Sequence, residues 1–174
     1  MREEIKLTQS ELVGQLCAAV VIPVAIVVIA ASYVLHGIEF FVGIDNIWTI
    51  LACVASLLTL MPHEMMHYLG WKVSTGRGRD MFTIKFKGIL GASIEFHGNM
   101  PVKDFMVGLI LPTILTSIVP CVLGVVCGSF ALVLYGLMMT MGCGSDIVIY
   151  FRLLKYRSWN CYDPGDTGVV VYKD

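Results

Sequence analysis

Long apolar runs separated by short polar segments dominate the chain. A helix rises about 1.5 Å per residue, so roughly 20 consecutive apolar residues cross the hydrocarbon core of a bilayer. Four runs are long enough, at residues 12–35, 47–70, 105–127 and 129–154. A tight turn around Gly128 joins the last two. The pattern predicts an all-α polytopic membrane protein, with four transmembrane helices in a single domain over residues 1–174.

The segment between the second and third runs, residues 71–104, has a different pattern. Residues 81–87 and 92–97 alternate apolar and polar side chains, with a glycine-containing turn between them. This alternation predicts a small β-hairpin. An exposed edge strand of such a hairpin could bind an extended peptide by β-augmentation. The candidate substrate-binding residues are therefore Ile94, Glu95, Phe96 and His97.

The lysines and arginines predict the orientation of the helices. All 12 lysines and arginines lie in one of three places: before the first run, between the second and third runs, or at the end of the fourth run and in the tail after it. The positive-inside rule therefore places both termini, the hairpin and the tail of residues 155–174 in the cytoplasm, giving an N-in, C-in cell-membrane protein. Residues 36–46, without lysine or arginine, lie outside. A cleaved signal peptide over the first run is the alternative, but this run is longer than an ordinary signal-peptide core.

The amino-acid composition also indicates that the lipid bilayer is the partner of this chain. Hydrophobic residues make up 57% of the chain and charged residues 14%, with a mean hydropathy of +0.79. A soluble domain carries about 25% charged residues. The net charge of −1, without a basic and aromatic patch, excludes nucleic acid as a partner. The six cysteines lack C-x-x-C spacing, so neither a disulfide framework nor a thiolate metal site is predicted.

Ionisable residues inside the apolar runs are few, and three of them form an H-E-x-x-H motif at His63, Glu64 and His67. Each charged side chain costs about 2.5–3.5 kcal/mol to insert into a bilayer, so such residues indicate a function. On a helix, positions i and i+4 share a face, so both imidazoles can bind one zinc ion. Glu64 lies beside them as a candidate catalytic base that takes a proton from the attacking water.

Asp146 is the remaining acid inside a run, and its depth matches that of the motif. His63 comes about 16 residues after the outer end of the second run, and Asp146 about 17 residues after that of the fourth. These separations correspond to roughly 24 and 26 Å along a helix. Asp146 is therefore the candidate third ligand of a site for one Zn²⁺ per chain. The alternatives are helix capping or pairing with Arg152 for Asp146, and His97 as the third ligand.

These residues resemble the putative membrane zincin peptidases, a family known by a domain-of-unknown-function label and related in plan to site-2 proteases. The resemblance is carried by the H-E-x-x-H motif, by Gly144-Ser145-Asp146-Ile147 in the fourth run, and by Asp163-Pro164 in the tail. Two differences stand out. Asp146 is followed by Ile147, where site-2 proteases usually have glycine, and no histidine separates Asp163 from Pro164.

The resemblance implies zinc at His63, His67 and Asp146, with Glu64 as catalytic base. It also implies a membrane or juxtamembrane protein substrate, cut near the cytoplasmic interface. The rival hypothesis is a non-catalytic zinc-binding membrane protein or a metal carrier. A carrier usually has further ligands along a path across the bilayer, and structural zinc needs no base such as Glu64. The motif leaves hydrolysis of a non-peptide bond open.

Overall fold

The structure is a computed structural model that describes residues 2–6, 17–42, 47–77, 82–87, 91–162 and 168–173.

Seven α-helices form most of the described chain. They are α1 (Ile22–His36), α2 (Glu39–Val42), α3 (Ile47–Thr75), α4 (Val102–Pro112), α5 (Val119–Cys127), α6 (Phe130–Gly142) and α7 (Gly144–Leu153). A π-helical turn, Cys17–Val21, precedes α1, and a π-helical stretch, Thr113–Ile118, joins α4 to α5. A short 3₁₀ turn, Leu154–Tyr156, follows α7. The turn predicted at Gly128 is present, because this residue ends α5 in a left-handed conformation with φ 67°.

Three helical segments are long and apolar enough to cross a membrane, namely Ala19–His36, Ile47–Thr75 and Val102–Cys127. The fourth predicted helix differs from the straight span of residues 129–154. It is broken at Cys143 into α6 and α7, which meet at a bend of 57°. Gly142 and Gly144 flank the break, and glycine stabilises helices poorly. The bent pair makes a fourth candidate span if it crosses the membrane as one unit.

Within the described residues, six strands form two antiparallel sheets. They are β1 (Arg2–Lys6), β2 (Phe82–Lys87), β3 (Gly91–Phe96), β4 (Met100–Pro101), β5 (Asn160–Tyr162) and β6 (Gly168–Tyr172). The predicted hairpin is confirmed as β2 and β3, with Phe82 opposite Phe96. The other sheet has the order β1-β6-β5-β4 and was not predicted. It joins the first described residues, the tail and the start of α4.

The core lies at the end of the helices next to the two sheets, around the buried Trp71 of α3. The Trp71 ring stacks on Phe82 of β2 at 5.8 Å and on Phe105 of α4 at 5.4 Å. Its indole N–H donates to the Phe105 carbonyl at 2.9 Å. Toward the other end the helices expose apolar side chains, with Val126, for example, 67% exposed. A surface of this kind is suited to lipid.

Helices α3 and α4 cross at two glycines. A Cβ added to Gly70 would lie 2.7 Å from the Cα of Gly108, and one added to Gly108 would lie 2.0 Å from Nε1 of Trp71. Both distances are too short for real atoms, so the crossing requires glycine at both positions. Such contacts between small residues let helix backbones approach closely in a membrane. The close approach brings the backbone of α4 within reach of side chains on α3.

The buried Cys161 of β5 should resist alkylation in the folded protein. Burial, together with the nearby Asp104, raises the pKa of the Cys161 thiol to about 12, so little reactive thiolate exists at pH 8. Cys127, exposed at the end of α5, is the internal control. Peptide mapping after maleimide treatment should find Cys127 modified first, and Cys161 modified only after denaturation. Equal rates in the native protein would contradict this packing of the sheet.

Candidate metal centre

Two histidines of α3 and one aspartate of α7 converge on one point. The Nε2 atoms of His63 and His67 lie 3.2 and 3.4 Å from Oδ2 of Asp146. One potential ligand atom from each residue lies within 4.8 Å of the other two. Both histidines are buried. Within the described part of the chain, no other group of three histidine, cysteine or acidic side chains has this spacing.

The spacing of these three side chains fits a zinc ion. Bonds of about 2.0–2.1 Å in a tetrahedral site place neighbouring ligand atoms about 3.3 Å apart. The two histidine–aspartate separations, 3.2 and 3.4 Å, agree with that value. Imidazole and carboxylate groups are common zinc ligands, and three of them leave the fourth position for water. The centre therefore has the donor set of a catalytic rather than a structural zinc site.

The ring of His67 is oriented by the backbone of α4. Its Nδ1–H donates to the Gly108 carbonyl at 2.9 Å. This carbonyl is available because the residue four positions later is Pro112, which has no N–H to donate to it. The next N–H, of Thr113, bonds to Ile110 instead. The contact fixes the tautomer of His67 and leaves its Nε2 lone pair directed at Asp146.

A chain of polar side chains holds the other histidine. Nδ1 of His63 contacts Sγ of the fully buried Cys143 at 3.7 Å. The same sulfur lies 3.7 Å from Oγ1 of Thr116, whose hydroxyl donates to the Pro112 carbonyl at 2.8 Å. Since that carbonyl can only accept, the hydrogens run from His63 through Cys143 and Thr116 to Pro112. This order keeps a hydrogen on Nδ1 of His63 and the Nε2 lone pair toward Asp146.

The break in the fourth helical segment places Asp146 in the site. The residue lies in the first turn of α7, just after the bend at Cys143. Its carboxylate contacts both histidines. Asp146 does not cap its helix, because the N-cap position is Cys143 and no side chain bonds there. Capping, one of the alternatives considered for Asp146, is therefore excluded.

Glu64 lies between the two histidines in sequence and faces the hairpin. Its carboxylate lies near the backbone N–H of Ile94 in β3. The side chains of Ile94 and Phe96 are buried in the core, so the backbone of β3 is the part that borders the site. The side chain of Glu95 lies outside the described atoms. His97 is exposed, bonds to Oγ1 of Thr83 at 2.6 Å, and is not part of the three-residue cluster.

The residues that orient the histidines, Gly108, Pro112, Thr116 and Cys143, were not among the sequence candidates. One signal for them is present in the sequence. A proline four residues after a glycine in an apolar helix leaves a carbonyl unpaired next to a position where another helix can approach closely. For Cys143 the sequence carries no comparable signal, because a cysteine between two glycines in an apolar run is ordinarily a small packing residue.

Replacing Pro112 by alanine should weaken metal binding. The new N–H would compete with His67 for the Gly108 carbonyl, and loss of a partner that orients a ligand typically costs 10-fold or more, so we expect about 10-fold weaker zinc binding. Competition with a chromogenic chelator measures the affinity of the purified protein. In the matched control, Pro120→Ala, the new N–H appears eight residues further along the chain, and the affinity should not change. Wild-type affinity in Pro112→Ala would contradict the role of the freed carbonyl.

Searches of curated proteins and of solved structures found no match to this chain. The profile of a family described as "Putative zincin peptidase" matches residues 56–160. The matched region includes all of the residues that converge at the metal centre, together with the hairpin. It covers well over half of the chain. The chain therefore belongs to the putative zincin peptidase family.

Proposed function

We propose that the protein is a membrane-embedded zinc metallopeptidase that hydrolyses peptide bonds near the cytoplasmic interface. The observation that carries this proposal is the convergence of His63, His67 and Asp146, with Glu64 beside them on the same turn of α3. The three converging side chains would hold one Zn²⁺ per chain. Placement of this centre inside apolar helices supports a plan like that of site-2 proteases.

Zinc bound by these residues would supply a Lewis acid that polarises a carbonyl and makes water a stronger nucleophile. Glu64 accepts the proton from the attacking water and returns it to the leaving amine. Its carboxylate lies near the backbone N–H of Ile94, on the side of α3 that faces β3. The hydrogen bonds of His63 and His67 keep both rings fixed while the charge at the centre changes.

An extended peptide is the substrate form that suits this site. A helical peptide bond is covered by its own helix, whereas a strand exposes each carbonyl. The described part of the chain pairs β3 only with β2, and the N–H of Ile94 lies on the edge that faces Glu64. A segment of a membrane or juxtamembrane protein could pair with that edge and present its carbonyl to the centre. Strand β3 is thus the proposed substrate-binding element.

The four-stranded sheet supports the proposed topology. Strands β1 and β6 pair with each other, so both must lie on the same side of a membrane. Strand β4, which precedes α4, joins the same sheet through β5. The chain must then cross an even number of times before β4 and again after it. Two crossings by α1 and α3, and two by the α4–α5 segment and the bent pair, satisfy this condition. The lysine and arginine distribution supports a cytoplasmic location for this side.

A metal carrier is the weaker alternative. A carrier needs successive ligand groups across the membrane, and the described helices contain a single cluster of three. A purely structural zinc site is usually closed by four protein ligands, whereas this centre has three. Glu64, placed beside the two histidines, has a role in hydrolysis and none in simple metal retention.

Replacing Glu64 by glutamine should separate binding from turnover. The variant should retain about one zinc per chain, while peptide cleavage falls at least about 100-fold because the general base is gone. Metal content is measured by elemental analysis of the detergent-purified protein. Cleavage is followed by mass spectrometry of a mixture of membrane-segment peptides.

Two ligand variants and one control complete this test. His67→Ala and Asp146→Ala should lose the zinc, whereas His97→Ala should keep it. Undiminished cleavage by Glu64→Gln would contradict the role of the base. Absence of zinc from the wild-type protein after metal-replete purification would contradict the proposal. Zinc that survives Asp146→Ala would assign the third ligand to another residue.

A further inference from the structure

A second cavity, separate from the metal centre, lies between α4 and the end of α7. Its volume is about 350 Å³. At one end it is lined by Lys103, Asp104 and Arg157, and along its length by apolar residues that include Val107 and Ile110. None of these residues takes part in the metal centre.

The cavity is polar at the membrane surface and apolar toward the interior of the bilayer. Lys103 lies in the first turn of the Val102–Cys127 segment, and Arg157 follows directly after the last residue of the bent pair. Val107 comes one helical turn deeper and is 41% exposed. Ile110 lies nearly another turn further along α4. The charged end is therefore at the headgroup level and the apolar wall at the level of the acyl chains.

We propose that this cavity binds one anionic phospholipid, with its phosphate between Lys103 and Arg157 and one acyl chain along α4. Arginine binds phosphate oxygens through paired hydrogen bonds, and lysine adds a second positive charge. Asp104 at the same end reduces the formal charge of the lining from +2 to +1. A single positive charge matches the net charge of −1 on phosphatidylglycerol, whereas the choline of phosphatidylcholine cancels the charge of its own phosphate.

The bound lipid would touch α7, which carries Asp146, and α4, whose backbone orients His67. Val107 precedes Gly108, whose carbonyl orients His67. Tyr150, another residue of the cavity wall, lies one helical turn after Asp146 on α7. A lipid in this cavity thus bridges α4 and α7 next to the points where they position two ligand residues. The inference depends on the membrane placement but not on the peptidase activity, so the two can fail separately.

Lipid retention tests the site directly. The full-length protein is reconstituted in nanodiscs of phosphatidylcholine and phosphatidylglycerol in equal amounts, extracted into mild detergent, and examined by native mass spectrometry. We expect the wild type to retain one phosphatidylglycerol in clear preference to phosphatidylcholine. In the double variant Lys103→Gln/Arg157→Gln, the ratio of retained phosphatidylglycerol to phosphatidylcholine should fall about 10-fold. The matched control, Lys72→Gln/Lys173→Gln, removes two charges outside the cavity and should retain the lipid.

A second variant tests the apolar part without changing any charge. Ile110→Trp fills the groove and should also abolish retention, with α-helical circular dichroism unchanged. Soluble glycerol phosphate, added in millimolar excess, should not displace the lipid, because it lacks an acyl chain. Displacement by glycerol phosphate, retention by Ile110→Trp, equal retention of both lipids by the wild type, or equal loss in the control variant would overturn the proposal.

Discussion

The hydrogen bond from His67 to the Gly108 carbonyl is the contact on which the metal centre depends, and three separate features make it possible. Gly70 and Gly108 let α3 and α4 approach until a single methyl group would collide. The Trp71 indole then packs over Gly108 and bonds to α4, which holds the two helices at that distance. Pro112 leaves the carbonyl without its helical donor. Removing any of these features would leave a buried imidazole N–H without an acceptor.

The same proline organises the other histidine, because its own carbonyl ends the polar chain from His63. An N–H or hydroxyl inside a bilayer that lacks a partner costs several kcal/mol, which favours polar side chains that end on acceptors. Here the acceptors are backbone carbonyls of α4, those of Gly108 and Pro112, rather than carboxylates. The π-helical stretch after Pro112 also places Ser117 against Thr140 of α6, at 2.6 Å. The polar side chains of this stretch, Thr113, Thr116 and Ser117, are buried against neighbouring helices, and burial in protein is one arrangement in which a membrane tolerates irregular backbone.

Regular patterns and one rare motif account for what the sequence predicted. The long apolar runs predicted the helical segments, the alternation around residues 88–91 predicted the hairpin, and the H-E-x-x-H spacing predicted that His63 and His67 share a face. The equal depths of Asp146 and of the H-E-x-x-H motif in their runs predicted that Asp146 lies beside the histidines. The contact is present even though the helical segment that carries Asp146 is bent. These inferences depend on periods of two or 3.6 residues, which persist over many positions.

The features that were missed are too short or too indirect for such patterns. Strands β4 and β5 have two and three residues, so no alternation can be seen in them. They belong to a sheet because β4 pairs with β5, and that pairing joins distant parts of the chain, Met100 lying opposite Cys161. The contact between Cys143 and His63 is likewise tertiary, since 80 residues separate them. Neither local composition nor periodicity contains this information.

The pairing of β1 with β6 also imposes an order on biosynthesis. The hairpin of β2 and β3 can close within microseconds of leaving the ribosome. Strand β1 has to wait for a partner made more than 160 residues later, which at about 5–20 residues per second takes roughly 10–30 s. During that interval its backbone is free for chaperones or proteases. A nascent chain that inserts one helix the wrong way round would leave β1 and β6 on opposite sides, unable to pair. If the helices cross the membrane as proposed, closure of this sheet thus reports that an even number of crossings separates β1 from β6.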